Sequence, residues 1–341
     1  MLIRSKAPLR LGLAGGGTDV SPYSDIYGGS VLNATINLYA VTTIEPTTNN
    51  TIELTLGNYG KNKTFKSEKY IEVEQPYELI LAVYNRIVRM FDLQPLSFKL
   101  HCYIEAPQGS GLGTSSTLVV SILGAFTEWL KLPLGKYDIA HLAYEIERLD
   151  LKMQGGKQDQ YAATFGGINF LEFYANDKVI VNPLDIKPHI KKELELCLLL
   201  YFTDTQRNSS EIIKEQIQNV QSNKTTSIEA MHHLKEQALL LKDYLLKGEL
   251  SKIGDLLHFG WVHKKQMASN ISNTLIDSIY ESALKAGASG GKISGAGGGG
   301  FMFFYCPKNT KLQVADALLR FGGKIQLFQF TTEGLTTWTV N

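Results

Sequence analysis

Residues 97–120 read SFKLHCYIEAPQGSGLGTSSTLVV, and the class of fold turns on this stretch. The first part alternates. Phe98, Leu100, Cys102 and Ile104 share one face; Lys99, His101, Tyr103 and Glu105 share the other. That is a strand with one buried and one polar side. Glycines at 109, 111 and 113 follow, and then an apolar helix over 117–130, opened by Thr114, Ser115 and Ser116. Small residues leave backbone N–H groups unobstructed. A helix N-terminus adds unsatisfied donors and the positive end of a dipole. The combination suits a phosphate, and a hydroxyl there has the chemistry to ligate Mg²⁺. The plain alternative is a tight strand–helix turn.

Two familiar phosphate loops do not fit. A Walker loop needs G-x-x-x-x-G-K-[ST]. Around Lys292 the chain reads AGASGGKIS, with Ala286 in place of the first glycine and Ile293 in place of Ser or Thr. A dinucleotide-binding first strand lies in a parallel sheet covered on both faces and is almost continuously apolar. The strand at 97–105 alternates instead, and the third glycine is misplaced. A nicotinamide-linked oxidoreductase is therefore disfavoured.

The chain has 341 residues, 44% of them hydrophobic, which points to two domains with sizeable cores. Lys+Arg is 34 and Asp+Glu 33, a net charge of +1. Nothing in that balance attracts nucleic acid or an anionic membrane, so neither is expected as a partner and an anionic ligand must be held locally. Cys102, Cys197 and Cys306 are far apart and show neither a disulfide framework nor zinc spacing. MLIRSKAPLR lacks the apolar core of a signal peptide, and the apolar run at 194–202 is too short for a bilayer. A cytoplasmic location is the expectation.

Strands are expected at 2–14, 30–46, 97–106, 167–174 and 194–202, with a hairpin at 51–67. Helical spacing marks 78–92, 136–150, much of 210–266, and 275–287, with a further helix near 310–320 and a β-rich tail. The order of elements is α+β, divided in the polar stretch near 175–192.

Three more segments carry chemistry. APLRLGLAGGGTD (7–19) runs a strand into three glycines, a costly arrangement unless something approaches the backbone closely. GGKQDQYAATFGG (155–167) sets Asp159 between glycine pairs, behind a helix that carries Glu147. A carboxylate there is suited to take a hydroxyl proton, and Lys157 would favour its ionised form. Taken singly, each acid reads as a solvated or capping group. SGGKISGAGGGGFMFF (289–304) passes directly from glycines into an aromatic strand, as a loop approaching a ligand or another backbone does. Arg207, beside hydroxyl residues after a strand, is a candidate clamp for a phosphate or sugar. His232 and His233 read as a solvated helix face. Lys264 and Lys265 read as surface charges, with an anion as the alternative partner.

In this order, the glycine segments resemble those of the GHMP kinases, named for galactokinase, homoserine kinase, mevalonate kinase and phosphomevalonate kinase. The resemblance runs from Pro8 to Phe304. It rests on Pro107, Gly111, Leu112, Gly113, Thr114 and Ser115 for one loop, and on Gly295 to Gly299 for another. It implies a two-domain α+β fold. Residues 1–185 would form a domain like the second domain of ribosomal protein S5, and 186–341 a ferredoxin-like domain. ATP would bind between them, on Pro107, Gly109, Ser110, Gly111, Leu112, Gly113, Thr114, Ser115 and Ser116. Mg²⁺ would be held by Ser115 and Glu147. Asp159 would act on the substrate hydroxyl, with Lys157 steadying its charge.

For the substrate, the resemblance points to Arg10, Gly15, Gly16, Gly17, Thr18, Asp19, Arg207, Gly295, Gly297 and Gly298. Galactokinases have Gly-Glu-His-Thr-Asp where this chain has Gly15 to Asp19, which argues against galactose. The first motif, with GGSVLNATINLYA (28–40), resembles the branch that phosphorylates the C1 hydroxyl of a heptose 7-phosphate. The L-fucokinase branch is the neighbouring alternative, and a non-catalytic sugar- or nucleotide-binding regulator is the alternative outside enzymes. The resemblance leaves a homodimer open.

Overall fold

The computed structural model describes residues 1–341 except 108 and 206–208. The alternating pattern at the N-terminus becomes β1 (Leu2–Ala14), which crosses the three glycines into a short helix α1 (Tyr23–Tyr27). β2 (Gly29–Pro46) is the spine of the first sheet. Its 18 residues are long enough to pair with β1 along one edge and with two different strands along the other. The expected hairpin is β3 (Thr51–Leu56) and β4 (Lys61–Lys66), followed by α2 (Glu78–Met90) and β5 (Phe98–Ile104). α3 (Thr114–Leu130) and α4 (Lys136–Glu145) come next, and α4 continues into a π-helical turn at Ile146–Asp150. α5 (Gln158–Phe165) and the pair β6 (Ile168–Phe173) and β7 (Val179–Pro183) complete this half.

The second half runs through α6 (Pro188–Cys197), β8 (Leu198–Phe202), α7 (Ser209–Gln221), α8 (Thr225–Lys247), α9 (Ile253–Lys264) and α10 (Thr274–Lys285). It closes with β9 (Gly290–Ile293), β10 (Phe301–Tyr305), α11 (Lys311–Leu319), β11 (Lys324–Gln326) and β12 (Thr336–Val340). The strand expected at 194–202 starts four residues late, because α6 continues through Cys197 before the all-buried run Leu198–Phe202 begins.

The first sheet has the order β12-β1-β2-β5-β3-β4, with β6 on β2 and β7 on β6. All its pairs are antiparallel except β3 with β5. The alternating face of β5 (Phe98, Leu100, Cys102) packs with α2 and α3, as its pattern requires. The second sheet has the order β11-β8-β10-β9, all antiparallel. With its helices it forms the ferredoxin-like half.

Two features depart from a simple division at 185/186. The last strand, β12, returns to the first sheet and pairs with β1 from Leu2 opposite Val340 to Lys6 opposite Thr336. The halves also share a core: Leu9, Leu11 and Leu13 of β1 pack in one cluster with Leu200, Phe301 and Phe303 of the second sheet. Among the described residues, no helix is long and apolar enough to cross a membrane.

Candidate active site

Where the loops and helix starts of the two halves meet lies a cavity of about 820 Å³, lined by all four sequence motifs. Two glycine loops meet there backbone to backbone. A Cβ on Gly111 would fall 2.3 Å from the Ser294 carbonyl oxygen, and one on Gly295 would fall 2.8 Å from Gly111 Cα. Phe301 N–H donates to Ser110 O at 2.9 Å and Arg10 N–H to Leu112 O at 3.1 Å, so the loop after β5 is pinned from both halves of the molecule. The glycines of 107–113 and 294–300 thus serve each other's close approach as well as a ligand's. Gly109, Gly111, Gly113, Thr114, Ser115 and Ser116 line the cavity; Pro107, Ser110 and Leu112 hold the loop from behind it. α3 begins without a side-chain cap, and its first turn faces the cavity.

Asp159 stands at this helix start. It lies in the first turn of α5, and its carboxylate is 3.1 Å from the point where a Gly113 Cβ would sit. Arg10 Nε (2.7 Å) and Nη2 (2.6 Å) both reach Asp159 Oδ1. Arg10 Nη1 donates to Gly111 O at 2.6 Å and lies 3.4 Å from Ser294 Oγ. Among the described residues, Asp159 Oδ2 has no hydrogen-bond donor; it lies 3.1 Å from the point where a Gly113 Cβ would sit, and Asp159 lines the cavity. Arg10 is therefore a strut for Asp159 and for both glycine loops.

The carboxylate behind the first three glycines has a different task from the one expected. Asp19 is buried, and its two oxygens accept four N–H bonds: Gly17 N and Gln158 Nε2 on Oδ1, Lys157 N and Gln158 N on Oδ2. It caps α5 from 139 residues away and so sets where Asp159 points. These bonds give it a structural task, and it lines the cavity as well. Gly156 allows this, since a Cβ there would meet Asp19 Oδ2 at 1.9 Å.

Gly15 and Thr18 are likewise structural. A Gly15 Cβ would strike Ser30 O at 1.9 Å, and Thr18 Oγ1 lies 2.8 Å from Gly15 O and 3.0 Å from Ser30 O. Gly17, at φ +106°, would aim a side chain into Met267 Cε at 2.4 Å. Gly16 alone of the three would take a Cβ without a clash, in ordinary contact at 3.8 Å with Gln158 Nε2 and Lys264 Nζ, and Gly17 is the one that lines the cavity. Gly295 and Gly297 line the cavity; Gly298 does not. Arg207 lies outside the described residues.

Glu147, in the π-helical turn, is 1% exposed. Gln160 Nε2 donates to Glu147 Oε2 at 2.5 Å and to Ser116 Oγ at 3.1 Å, linking α3, α5 and the turn. Burial pushes the Glu147 carboxyl up, against the pull of Arg148, Ser116 and Gln160. The hydroxyl bonded into this chain is that of Ser116, one residue beyond the expected Ser115, which lines the cavity beside it. Gln160 Oε1 is buried without a partner.

Lys157 does not reach Asp159. Its ammonium pairs with Asp177 at 2.8 Å and Asp25 at 3.3 Å, and these bonds, Asp177 first, outweigh a burial that works the other way. The expected role in steadying Asp159 passes to Arg10. Lys264, read from sequence as a surface charge, is 2% exposed and lines the cavity, whereas Lys265 is exposed and pairs with Asp277 at 3.2 Å. Lys292 is 3% exposed. Burial lowers Lys264 to about 8, and it lowers Lys292 well below the usual lysine value. Gln158, Gln160 and Lys292 carried no signal in the sequence beyond their nearness to the glycines.

Two family models match this chain. The one described as GHMP kinases N terminal domain covers residues 78–167, and the one described as GHMP kinases C terminal covers 241–324. The chain belongs to the GHMP kinases. Among curated members of the family, it is 46% identical over 338 residues to the D-glycero-alpha-D-manno-heptose 7-phosphate kinase of Campylobacter jejuni, covering 99% of each chain. It is 28% identical over 326 residues to the L-fucokinase/L-fucose-1-P guanylyltransferase of Bacteroides fragilis, covering 89% of this chain and 34% of that one. Among solved structures, a D-glycero-D-manno-heptose 1-phosphate kinase from Bacteroides thetaiotaomicron is 48% identical, with a TM-score of 0.86 and 99% of each chain covered.

Proposed function

We propose that this GHMP kinase transfers the terminal phosphoryl group of ATP to the C1 hydroxyl of D-glycero-D-manno-heptose 7-phosphate, giving the 1,7-bisphosphate. One observation carries the chemistry. Asp159 is held by Arg10 through Oδ1 and offers Oδ2 beside the uncapped start of α3. A hydroxyl bonded to Oδ2 is oriented toward a phosphate resting on the amides of Gly113 to Ser116. Phosphoryl transfer needs such positioning and charge neutralisation more than covalent help from the protein. Asp159 accepts the hydroxyl proton as the bond to phosphorus forms, and the two glycine loops keep water from the transferred group. The high coverage of the heptose phosphate kinase relative supports the sugar.

The residues present fit Mg²⁺. Glu147 and the Ser116 hydroxyl are a small, oxygen-only donor set at the start of α3, with Ser115 adjacent. Among the described residues there is no cluster of three or more His, Cys, Asp or Glu side chains that would cage a metal by itself. That is the setting in which Mg²⁺ is held by one or two protein groups together with nucleotide phosphates and water. When bound, it supplies charge neutralisation at the phosphates.

The product is a sugar 1-phosphate, the form from which nucleotide-activated heptose for surface glycans is made. The test is ATP consumption measured side by side with heptose 7-phosphate, mannose, fucose and galactose. Highest kcat/KM with heptose 7-phosphate, at a 1:1 ratio of ADP to bisphosphate, is expected. A preference for an unphosphorylated hexose would overturn the substrate, and ATP hydrolysis independent of every sugar would overturn the reaction.

A further inference from the structure

Three basic side chains, Arg10, Lys264 and Lys292, converge behind the first glycine loop with few acids to match them. Arg10 is paired with Asp159. Lys264 and Lys292 have no carboxylate within 4.0 Å among the described residues. Lys264 ends α9, and among the described residues its ammonium has one hydrogen bond, a long one of 3.4 Å to Gly16 O. Asp19 is the acid that pulls on it, and both Asp19 oxygens are already engaged by backbone and amide N–H groups. Lys292, on β9, stands close enough to Lys264 and Arg10 to be repelled by both. Two acids, Asp19 and Asp159, thus face three basic side chains. Leaving an ammonium buried without an anion is costly, and a fold retains such a group where something else supplies the charge.

The place matters as much as the charge. Lys264 and Gln158 both line the cavity, and so does Gly17 of the glycine run, while the neighbouring Gly16 lies against both of these side chains. The Lys264 ammonium and the Gln158 amide are each 3.8 Å from the point where a Gly16 Cβ would sit, so the two groups are neighbours at the cavity wall. Two N–H donors side by side, one of them cationic, are the recognition elements of a phosphate monoester. The α3 N-terminus already serves the transferred phosphate, so this pair serves a different anion.

We propose that Lys264, with the Gln158 amide beside it and Lys292 behind it, seats the second phosphate of the sugar substrate, the one remote from the reacting hydroxyl. The proposal rests on the heptose 7-phosphate reading. It makes the phosphate on C7, rather than the sugar ring, the feature that separates this substrate from a plain heptose or hexose.

The test compares wild type, K264M, K264R and K292M on heptose 7-phosphate and on the same heptose without phosphate. K264M is expected to raise KM for the phosphorylated sugar roughly 10- to 100-fold, the loss of a charge-assisted hydrogen bond, with KM for ATP unchanged. The preference for phosphorylated over unphosphorylated heptose should fall by the same factor, and K264R should restore part of it. K264M loses a buried charge, so its melting temperature should match or exceed that of wild type, which separates the effect from misfolding. An unchanged preference in K264M would overturn the proposal, as would equal losses on both sugars. Should wild type fail to phosphorylate heptose 7-phosphate, the functional reading falls by itself. Calorimetric titration of heptose 7-phosphate into wild type and K264M then decides the seat: tighter binding to wild type supports it, and equal binding or none overturns it.

Discussion

Arg10 sends two nitrogens to a single oxygen of Asp159, Oδ1, and leaves Oδ2 bare beside the start of α3. An arginine engaging both oxygens would have closed the carboxylate off. This one orients it and keeps one acceptor available. Asp159→Asn should therefore lower kcat by at least ~100-fold, a typical general-base loss, and leave ATP affinity unchanged. Steady-state kinetics with ATP binding by calorimetry checks both halves.

Asp19 makes a separate prediction, because it acts through α5. Asp19→Asn replaces an acceptor of four N–H bonds with a group that must turn a donor toward some of them. Destabilisation of about 2–4 kcal/mol is expected, the scale for breaking a buried charge-assisted network. kcat should fall as well, since the α5 start sets Asp159. Urea unfolding at pH 7 reads the first effect; a rise in sugar KM alone, with stability intact, would instead return Asp19 to direct substrate contact.

The glycine run divides by position. Gly17→Ala forces a side chain into Met267 at a φ of +106° and should cost ~1–2 kcal/mol in stability. Gly16→Val meets nothing closer than 3.8 Å at Cβ, so the fold should hold. The added bulk would press between Gln158 and Lys264 and raise KM for the sugar phosphate. Thermal melts and sugar titrations of the two variants separate backbone need from ligand space.

Lys264 gives a pH dependence of defined sign. Its folded value is about 8, lowered chiefly by burial, against 10.5 when unfolded. Asp19 opposes that shift and Arg10 adds to it, with Lys292 and Asp159 the other charges of the cluster. Between about 8 and 10.5 the unfolded chain holds the proton and the folded chain does not. Stability from this group therefore rises with pH in that window, and its full penalty is present below it. Sugar-phosphate affinity runs the other way, weakening above about 8 as the ammonium is lost. KM measured from pH 7 to 9.5 should climb in wild type and stay flatter in K264M.

Gln160 ties Ser116 to Glu147. Gln160→Leu removes the amide that holds both, leaving Glu147 only its direct contact with Ser116 and the pull of Arg148, so the Mg²⁺ concentration for half-maximal rate should rise roughly 10-fold or more, as for other supporting contacts of metal ligands. Titration of Mg²⁺ binding to the ATP-loaded protein provides a second reading.

The glycine loops and the strand–helix turn at 97–120 were legible because each is a local pattern: alternation, small residues, a hydroxyl-rich helix start. The two-sheet α+β plan followed from them. What stayed hidden was set by long-range pairing. Arg10 and Asp159 are 149 residues apart, and no spacing announces that they meet. Lys157 seemed the natural partner of Asp159 by closeness in sequence. At a helix start, though, residues two apart diverge, and Lys157 turns to Asp177. Lys264 adjoins a second lysine at the end of α9, which reads as solvent-facing, yet tertiary packing buried one of the two and exposed the other. The role of Asp19 was missed for the same reason: a carboxylate after glycines suggests a ligand, and its actual donors come from the far side of the domain.

The return of β12 to β1 brings the two ends of the chain side by side, Leu2 against Val340. The polypeptide is therefore close to a ring, and it passes between the two sheets twice, once through α6 and once through the segment before β12. A cleft joined by one tether could twist and gape in any direction. Here two crossings of the chain and a common core of Leu9, Leu11 and Leu13 with Leu200, Phe301 and Phe303 fasten the halves together. Removing residues 327–341 would strip β1 of its edge partner and take away the bonds of Thr331 N to Thr35 O and of Leu335 N to Thr164 O, loosening the strand that carries Arg10.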